Sequence, residues 1–411
     1  MKAWMLLFSC CLITPTSLSA KESPVQKNTL HLGSVLALKG KAKGLGTGMK
    51  NGLNASLNGQ TINGRKINIH YKNDFYEPDT ASQATTKLIK RGIFLMIGNV
   101  GTPTAKVTLP LLAKANIPAV GFFTGAGLLR PAPGPIVNYR ASYVQETAAV
   151  INDAVKNGLN PESICAYVQN DAYGMAGLTG IRQAFAGLGV SQTLLMTLDK
   201  IIAMEGNNPA RNNVGPVGVY KRNTANVRFG YQSLKAWEKS TGNSCRLVVT
   251  VGAYGNISHF VRVANRDKKE NWIISAVSFT GADNYSDALN KFGATDKIIM
   301  TQVVPLLDSD LPIVKEARTA MGTQFGFVSL EGYIVGKLTR TILEATPEPL
   351  NHDNFLAQVK KTKINLGGLP IDFTKNPIQG SDLVITSYLT DTGYSRVDKD
   401  VWKKWLATQE K

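Results

Sequence analysis

The strongest constraint on this chain is a repeated alternation between short apolar runs and longer segments of helical period. Leu30–Leu36 is an apolar run, and Gly48–Leu57 follows with Met49, Leu53 and Leu57 at i, i+4 and i+8. Lys66–Tyr71 alternates as a strand does. Ala81, Ala84, Leu88 and Ile89 then form one stripe of a helix that Asp79 opens as N-cap and Gly92 ends. Ile93–Ile97 is again continuously apolar. Thr102-Pro103, a favoured N-cap and first-turn pair, starts the next helix, and Ile117–Val120 is the next strand. Buried strands separated by helices predict right-handed βαβ units on a parallel sheet. After the Pro-rich break at 131–135 the rhythm restarts. Helices are expected at Val144–Gly158, Gly177–Gly187 and Ile257–Ala264, with strands at Ile164–Gln169, Arg246–Val251 and Trp272–Val277. A helix at Gly332–Ala345 and a final strand near Asp382–Tyr388 close the chain. The expected fold is therefore α/β, with two consecutive α/β lobes. Ala203–Tyr231, rich in Asn, Gly and Arg, reads as an inserted surface loop.

The N-terminus is of a different kind. Lys2 precedes an apolar run, Ala3–Ile13, and small residues follow at Ser17, Ser19 and Ala20. The run is too short to span a bilayer, which takes about 20 apolar residues, and it fits a secretory signal cleaved near Ala20. Leu7-Phe8-Ser9-Cys10 is a loose lipobox, although Phe8 is bulky for that motif. Removal of residues 1–20 leaves Cys165 and Cys245, each in or beside an apolar strand. In an oxidising compartment they either pair or stay as buried thiols, and the sequence leaves both readings open.

Of the 411 residues, 43% are hydrophobic and 18% charged, which excludes a disordered chain or a small disulfide-stapled scaffold. With 46 Lys and Arg against 29 Asp and Glu, the net charge is +17. Such a bias favours anionic partners. Lys39, Lys41, Lys43 and Lys50 crowd one loop without an interleaved aromatic, so nucleic-acid binding is not expected. The chain has no HExxH, CxxC, G-x-S-x-G or P-loop, and its glycines at 44, 46, 48 and 52 do not spell GxGxxG. Its four histidines, 31, 70, 259 and 352, lack ligand spacing. No enzymatic activity, cofactor or metal is expected.

The positive signal lies in loops that follow strands, because open α/β sheets bind ligands beyond the carboxyl ends of their strands. Asn99–Thr104 and Gly121–Ala126 occupy such positions and lead into helix N-termini. Free amides and the helix dipole there suit a carboxylate, and Thr102 and Thr124 add hydroxyls. Phe122 and Phe123 either pack an apolar part of a ligand or fill the core.

Taken in order, LHLGSVLALKG, KINIHYKNDFYEPDTASQATTKLIKRGIFLMIGNVGTPTA, ANIPAVGFFTG, SICAYVQNDAYGMAGLTGIRQAF and VSLEGYIVGKLTRTILEA resemble the periplasmic solute-binding proteins of branched-chain amino-acid ABC transporters. The resemblance runs over about residues 28–390. It implies a type I periplasmic-binding fold whose two Rossmann-like lobes are joined by three crossovers, near Ala141, Thr301 and Ile385, and close on a small ligand. The lobes would comprise 28–141 with 302–384, and 142–301 with 385–411. By the same resemblance Thr102 holds a ligand carboxylate, Phe122, Phe123 and Thr124 form the second loop of that pocket, and Tyr173 and Tyr254 reach in from the far lobe. Members that bind α-amino acids place a carboxylate at the end of the strand read here as WIISAV, where this chain has Ser278, with Asp283 five residues on. A hydroxyl cannot neutralise a buried ammonium. Either Asp283 takes that role or the ligand lacks a free amino group. Gly44-Leu45-Gly46 also replaces an aromatic-bearing wall.

The function so implied is that of an exported, monomeric solute-binding protein. Its ligand is an amino acid, an amide or a small carboxylate, and its membrane partner is the permease of an ABC importer. The alternative is a ligand-sensing subunit of a membrane signalling receptor. A hydrolase would need a nucleophile with its base, which the sequence does not offer.

Overall fold

The computed structural model describes residues 25–26, 28–131, 133–266 and 270–407. The expected secretory segment, residues 1–20, and the lipobox-like Cys10 lie outside them. Strand Thr29–Leu36 is buried along nearly all its length, which only a central place in a doubly covered sheet allows. It pairs in parallel with Arg65–Asn73 on one side and Leu95–Ile97 on the other, and Ala119–Val120 and Ile136–Val137 continue the sheet. The second sheet repeats the plan. Val217–Tyr220, Ile164–Gln169, Leu247–Val251, Ile273–Ala276 and Ile298–Gln302 run parallel, and Ile385–Thr390 and Gly393–Arg396 add two antiparallel strands. In both sheets the lobe's first strand lies between its second and third. The winding reverses beside it, and that reversal opens a crevice at the strand ends.

The chain passes between the sheets three times: between Val137 and Tyr143, between Gln302 and Pro312, and between Asp372 and Ile385. Tyr139 ties the three passages together. Its hydroxyl donates to the Val303 carbonyl at 2.9 Å, and its own carbonyl accepts from the Ser381 amide at 2.9 Å. Ser142 then starts helix Tyr143–Lys156 with a capping box, exchanging bonds with Gln145. Helix Phe327–Ala345 packs on helix Lys43–Leu57 with almost no gap. A Cβ on Gly52 would sit 2.0 Å from the Ser329 carbonyl oxygen, so only glycine fits there.

Several expectations need correction. Ala203–Tyr231 is no surface loop, because it carries the buried strand Val217–Tyr220, which pairs with Ile164–Gln169. Four residues, one of them Gly218, are too few for a visible period, and the Asn-rich turn before them hides the strand. Arg211, 2% exposed, holds that turn through the Ile201 and Gly206 carbonyls and Asn170. Asp79 lies inside the first turn of helix Pro78–Arg91, and Glu77 takes the cap position. Gly101, at φ 109°, rather than Thr102, precedes helix Thr102–Lys114. The strand Ile385–Thr390 is not the last element, since Gly393–Arg396 and helix Lys399–Ala407 follow. Cys165 and Cys245 form a disulfide with their Cα atoms 5.6 Å apart. Among the described residues no helix is long and apolar enough to cross a membrane.

Candidate functional site

The two loops singled out in the first lobe are zipped together at the crevice. Val100 bridges Phe123, the Phe123 amide donates to the Asn99 carbonyl at 2.8 Å, and the Gly101 amide donates to the Phe123 carbonyl. This brings the Thr102 and Thr124 hydroxyls within 2.6 Å of each other, both fully buried. Thr102 therefore spends its side chain on Thr124 and not on a helix amide. A Cβ at Gly101 would lie 2.4 Å from the Tyr76 ring, so the glycine makes room for that tyrosine. Phe75 and Tyr76 both adopt positive φ, 56° and 60°, a strained backbone of the kind that gathers at ligand sites. The Asp74 carboxylate holds the strained turn by accepting from the Tyr76 amide at 2.8 Å, and burial pushes the Asp74 carboxyl up to about 7.

From the second lobe Phe279 enters this space. Its ring lies 5.2 Å from Phe123, 6.0 Å from Tyr76 and 4.7 Å, edge-on, from Tyr173. Tyr143 stands 5.3 Å from Tyr173 and completes an aromatic box drawn from both lobes and the hinge. Phe122 lies behind its neighbour in the core, without an aromatic partner among the described residues. Tyr254 sits at the rim, half-buried, where its hydroxyl accepts from the Gly44 amide of the other lobe at 3.2 Å.

Beneath the box is a buried charged cluster. Arg140, 1% exposed, comes from the first crossover and lies 5.0 Å over the Phe123 ring. Its Nη2 donates to Glu146 at 3.1 Å and to the Ser278 hydroxyl. Glu146 also accepts from the Ser278 amide and hydroxyl and from the Thr301 hydroxyl, at 2.8, 3.0 and 2.6 Å. Glu331, from helix Phe327–Ala345, stands 3.4 Å from Arg140 Nη1. Its Oε1 has no hydrogen-bond partner among the described residues. Burial pushes the Glu331 carboxyl up to about 7 against the pull of Arg140.

Phe123, Thr102, Thr124, Tyr173 and Ser278 thus meet around one space. Asp283 does not. Its two oxygens accept from the Phe327 and Val328 amides at 3.1 and 3.4 Å, so it caps a helix of the opposite lobe. Burial holds this carboxyl above its ordinary value, and the two amides offset only part of that rise. More links span the cleft: Arg222 pairs with Glu77 at 2.6 Å, Asn223 donates to Glu77 at 2.7 Å, and Gln169 donates to the Tyr76 hydroxyl at 3.2 Å. The lobes are shut on each other. Arg140, Glu146, Glu331, Phe279 and Tyr76 escaped the sequence reading. Glu331 carried a signal, as the lone charge in the apolar stretch Phe327–Gly336.

The periplasmic binding protein family matches residues 29–198. A structure described as a possible leucine/isoleucine/valine-binding protein from Rhodopirellula baltica is 30% identical, with a TM-score of 0.80. The match covers 93% of this chain and 99% of that one. The chain belongs to the periplasmic binding protein family. Members are non-enzymatic substrate-binding proteins of ABC transporters, and the two-lobed parallel architecture of this binding protein is theirs. Two more distant structures share the fold. One is a solute-binding protein from R. palustris in complex with 4-hydroxybenzoate (17% identity, TM-score 0.71, 92% and 99% coverage). The other is a leucine-binding protein from Thermotoga maritima (14% identity, TM-score 0.70, 90% and 97% coverage). No curated protein matches the sequence of this binding protein.

Proposed function

We propose that this binding protein captures a small solute between its lobes in the periplasm and delivers the closed form to the permease of an ABC importer. One observation carries the reading: a cleft shut by contacts from both lobes encloses buried polar atoms that the protein leaves unpaired. Tyr173 Oη, Gln302 Nε2 and Arg140 Nε have no hydrogen-bond partner among the described residues, and Arg140 Nη1 and Glu331 Oε1 have only each other, as an ion pair at 3.4 Å. Buried polar groups are nearly always paired, and leaving one unmade costs about 1–3 kcal/mol. A solute that satisfies them gains what the empty site forgoes. Thr102, Thr124, Phe123, Tyr173 and Ser278 line this capture site, with Phe122 supporting the loop and Tyr254 closing the rim. Asp283 acts on closure and not on the solute.

The test is a thermal-unfolding screen over amino acids, amides, carboxylates and short peptides. A solute at 100 times its Kd adds about 2.7 kcal/mol. Failure of every class to stabilise the protein or to contract it in solution scattering would defeat the reading. With the solute so found, Asp283→Ala should weaken closure by about 1 kcal/mol, the worth of a helix cap. That corresponds to an affinity loss of roughly five-fold. Unfolding of the solute-free protein should change little, and an unchanged affinity would remove the residue from closure.

A further inference from the structure

Arg140 is a guanidinium with five N–H donors placed at the innermost point of the cleft, yet only one of its nitrogens makes hydrogen bonds. Nη2 serves Glu146 and Ser278, Nη1 faces the Glu331 carboxylate in an ion pair at 3.4 Å, and Nε has no hydrogen-bond partner among the described residues although Arg140 is 1% exposed. A cavity of about 10 Å³ adjoins the cluster, lined by Phe123, Ser278, Gln302, Phe327, Val328 and Glu331. Gln302 Nε2, on a residue of that lining, likewise has no hydrogen-bond partner among the described residues, and Glu331 Oε1 meets only Arg140 Nη1. In its present volume the cavity admits no more than about one water. A solute must part the aromatic box to enter.

We infer that Arg140 is the anion anchor of the cleft and that the captured solute is an apolar or aromatic carboxylate without an amino group. This inference rests on the solute-capture reading. Three observations lead to it. The place beside Ser278 where two carboxylates, Glu146 and Glu331, would hold a ligand ammonium is already filled by the protein's own cation. A second cation there would meet a buried guanidinium, and Glu146 has no capacity left for it, since Arg140, the Ser278 amide and hydroxyl and Thr301 already occupy it. Next, Arg140 Nε and Gln302 Nε2 are buried donors without partners among the described residues, and each can donate to a carboxylate oxygen. Finally, the walls above Arg140 are Phe123, Phe279, Tyr173 and Tyr76, which favour an apolar or aromatic remainder.

Glu331 tunes the anchor. The groups that face it are Arg140 and Glu146, with Tyr139 nearby and Arg130 behind Arg140. An incoming carboxylate favours the protonated form of Glu331, so affinity should fall as pH rises through about 7.

Matched pairs decide the matter by titration calorimetry on the purified full chain: leucine against 4-methylpentanoate, and phenylalanine against 3-phenylpropanoate, with 4-hydroxybenzoate added. In at least one pair the acid should bind 100-fold or more tightly than its amino counterpart. Because Arg140 variants risk misfolding, Glu331→Gln serves as the second measurement. It removes one of the two negative charges beside Arg140 and should tighten acid binding about ten-fold at pH 8 and flatten its pH dependence. Amino acids that equal or surpass their acids overturn the inference, and so does weakened acid binding in Glu331→Gln. Binding of a neutral or cationic solute with every acid silent overturns it too, while leaving solute capture standing. Silence across all solute classes removes the capture reading and this inference together.

Discussion

Arg140→Met should lower the unfolding free energy by about 3–5 kcal/mol, the usual loss when one partner of a buried ion pair is removed. Methionine fills similar space, so little of the loss comes from packing. The loss comes from the carboxylates left behind. Glu146, fully buried, keeps only the neutral donors of Ser278 and Thr301, and Glu331 loses its one cation. The sign of the pH effect follows from the Glu331 carboxyl, which lies at about 7 in the fold and near the ordinary 4.5 when unfolded. Between those values the native state holds the extra proton, so stability falls as pH rises from about 4.5 to about 7. Without Arg140 the carboxyl moves higher still, and the decline extends further into the alkaline range. Urea titrations at pH 5 and pH 8 check both parts. A loss below about 1 kcal/mol, or no greater loss at pH 8 than at pH 5, would mean that the cluster does not depend on its cation. The triple replacement Arg140→Met, Glu146→Gln, Glu331→Gln should recover much of the stability, because removing all the charges spares the fold their desolvation.

The fold was legible where the local period was long enough to read. Ile164–Gln169 ends where its apolar run ends, and the stripe Ala81, Ala84, Leu88 marks a helix that a left-handed Gly92 stops, as expected. Val217–Tyr220 was not legible. Four residues following an Asn-rich turn carry no period, and only pairing with Ile164–Gln169 makes them a strand. The site was half legible for a similar reason. Parallel sheets put strand-end loops at a crevice, so Thr102, Phe123 and Thr124 could be placed from chain order. Arg140, Glu146 and Glu331 come from a crossover and two separate helices, and spacing along the chain says nothing about their meeting. Asp283 shows the converse. It stands where a ligand partner would be sought, but a one-dimensional offset cannot tell that its carboxylate faces helix Phe327–Ala345 across the cleft.

The Cys165–Cys245 bond should matter to stability and not to solute binding. It joins neighbouring parallel strands near their amino ends: Cys165 is the second residue of its strand, and Cys245 lies two residues ahead of Leu247–Val251. The 80-residue separation encloses the helices Ala172–Leu188, Gln192–Ala203 and Arg228–Thr241 and the edge strand Val217–Tyr220. In the chain-entropy account, cross-linking a loop of that size withholds about 4.5 kcal/mol from the unfolded state, and bonds of this kind typically deliver about 2–4 kcal/mol. The double variant Cys165→Ala/Cys245→Ala should lose that amount in a urea titration, with an added cost from the two sulfurs, which are buried at 1% and 3% exposure. The opposite end of the Cys165 strand, at Gln169, is the end that reaches Tyr76 across the cleft. Affinity for a stabilising solute, measured well below the unfolding temperature, should therefore stay within about two-fold of the parent. A stability loss below about 0.5 kcal/mol would mean that the lobe's unfolded ensemble is already compact enough to make the cross-link redundant. A ten-fold loss of affinity would mean that strain at the amino ends of these strands travels their full length to the loops that hold Tyr173 and Tyr254.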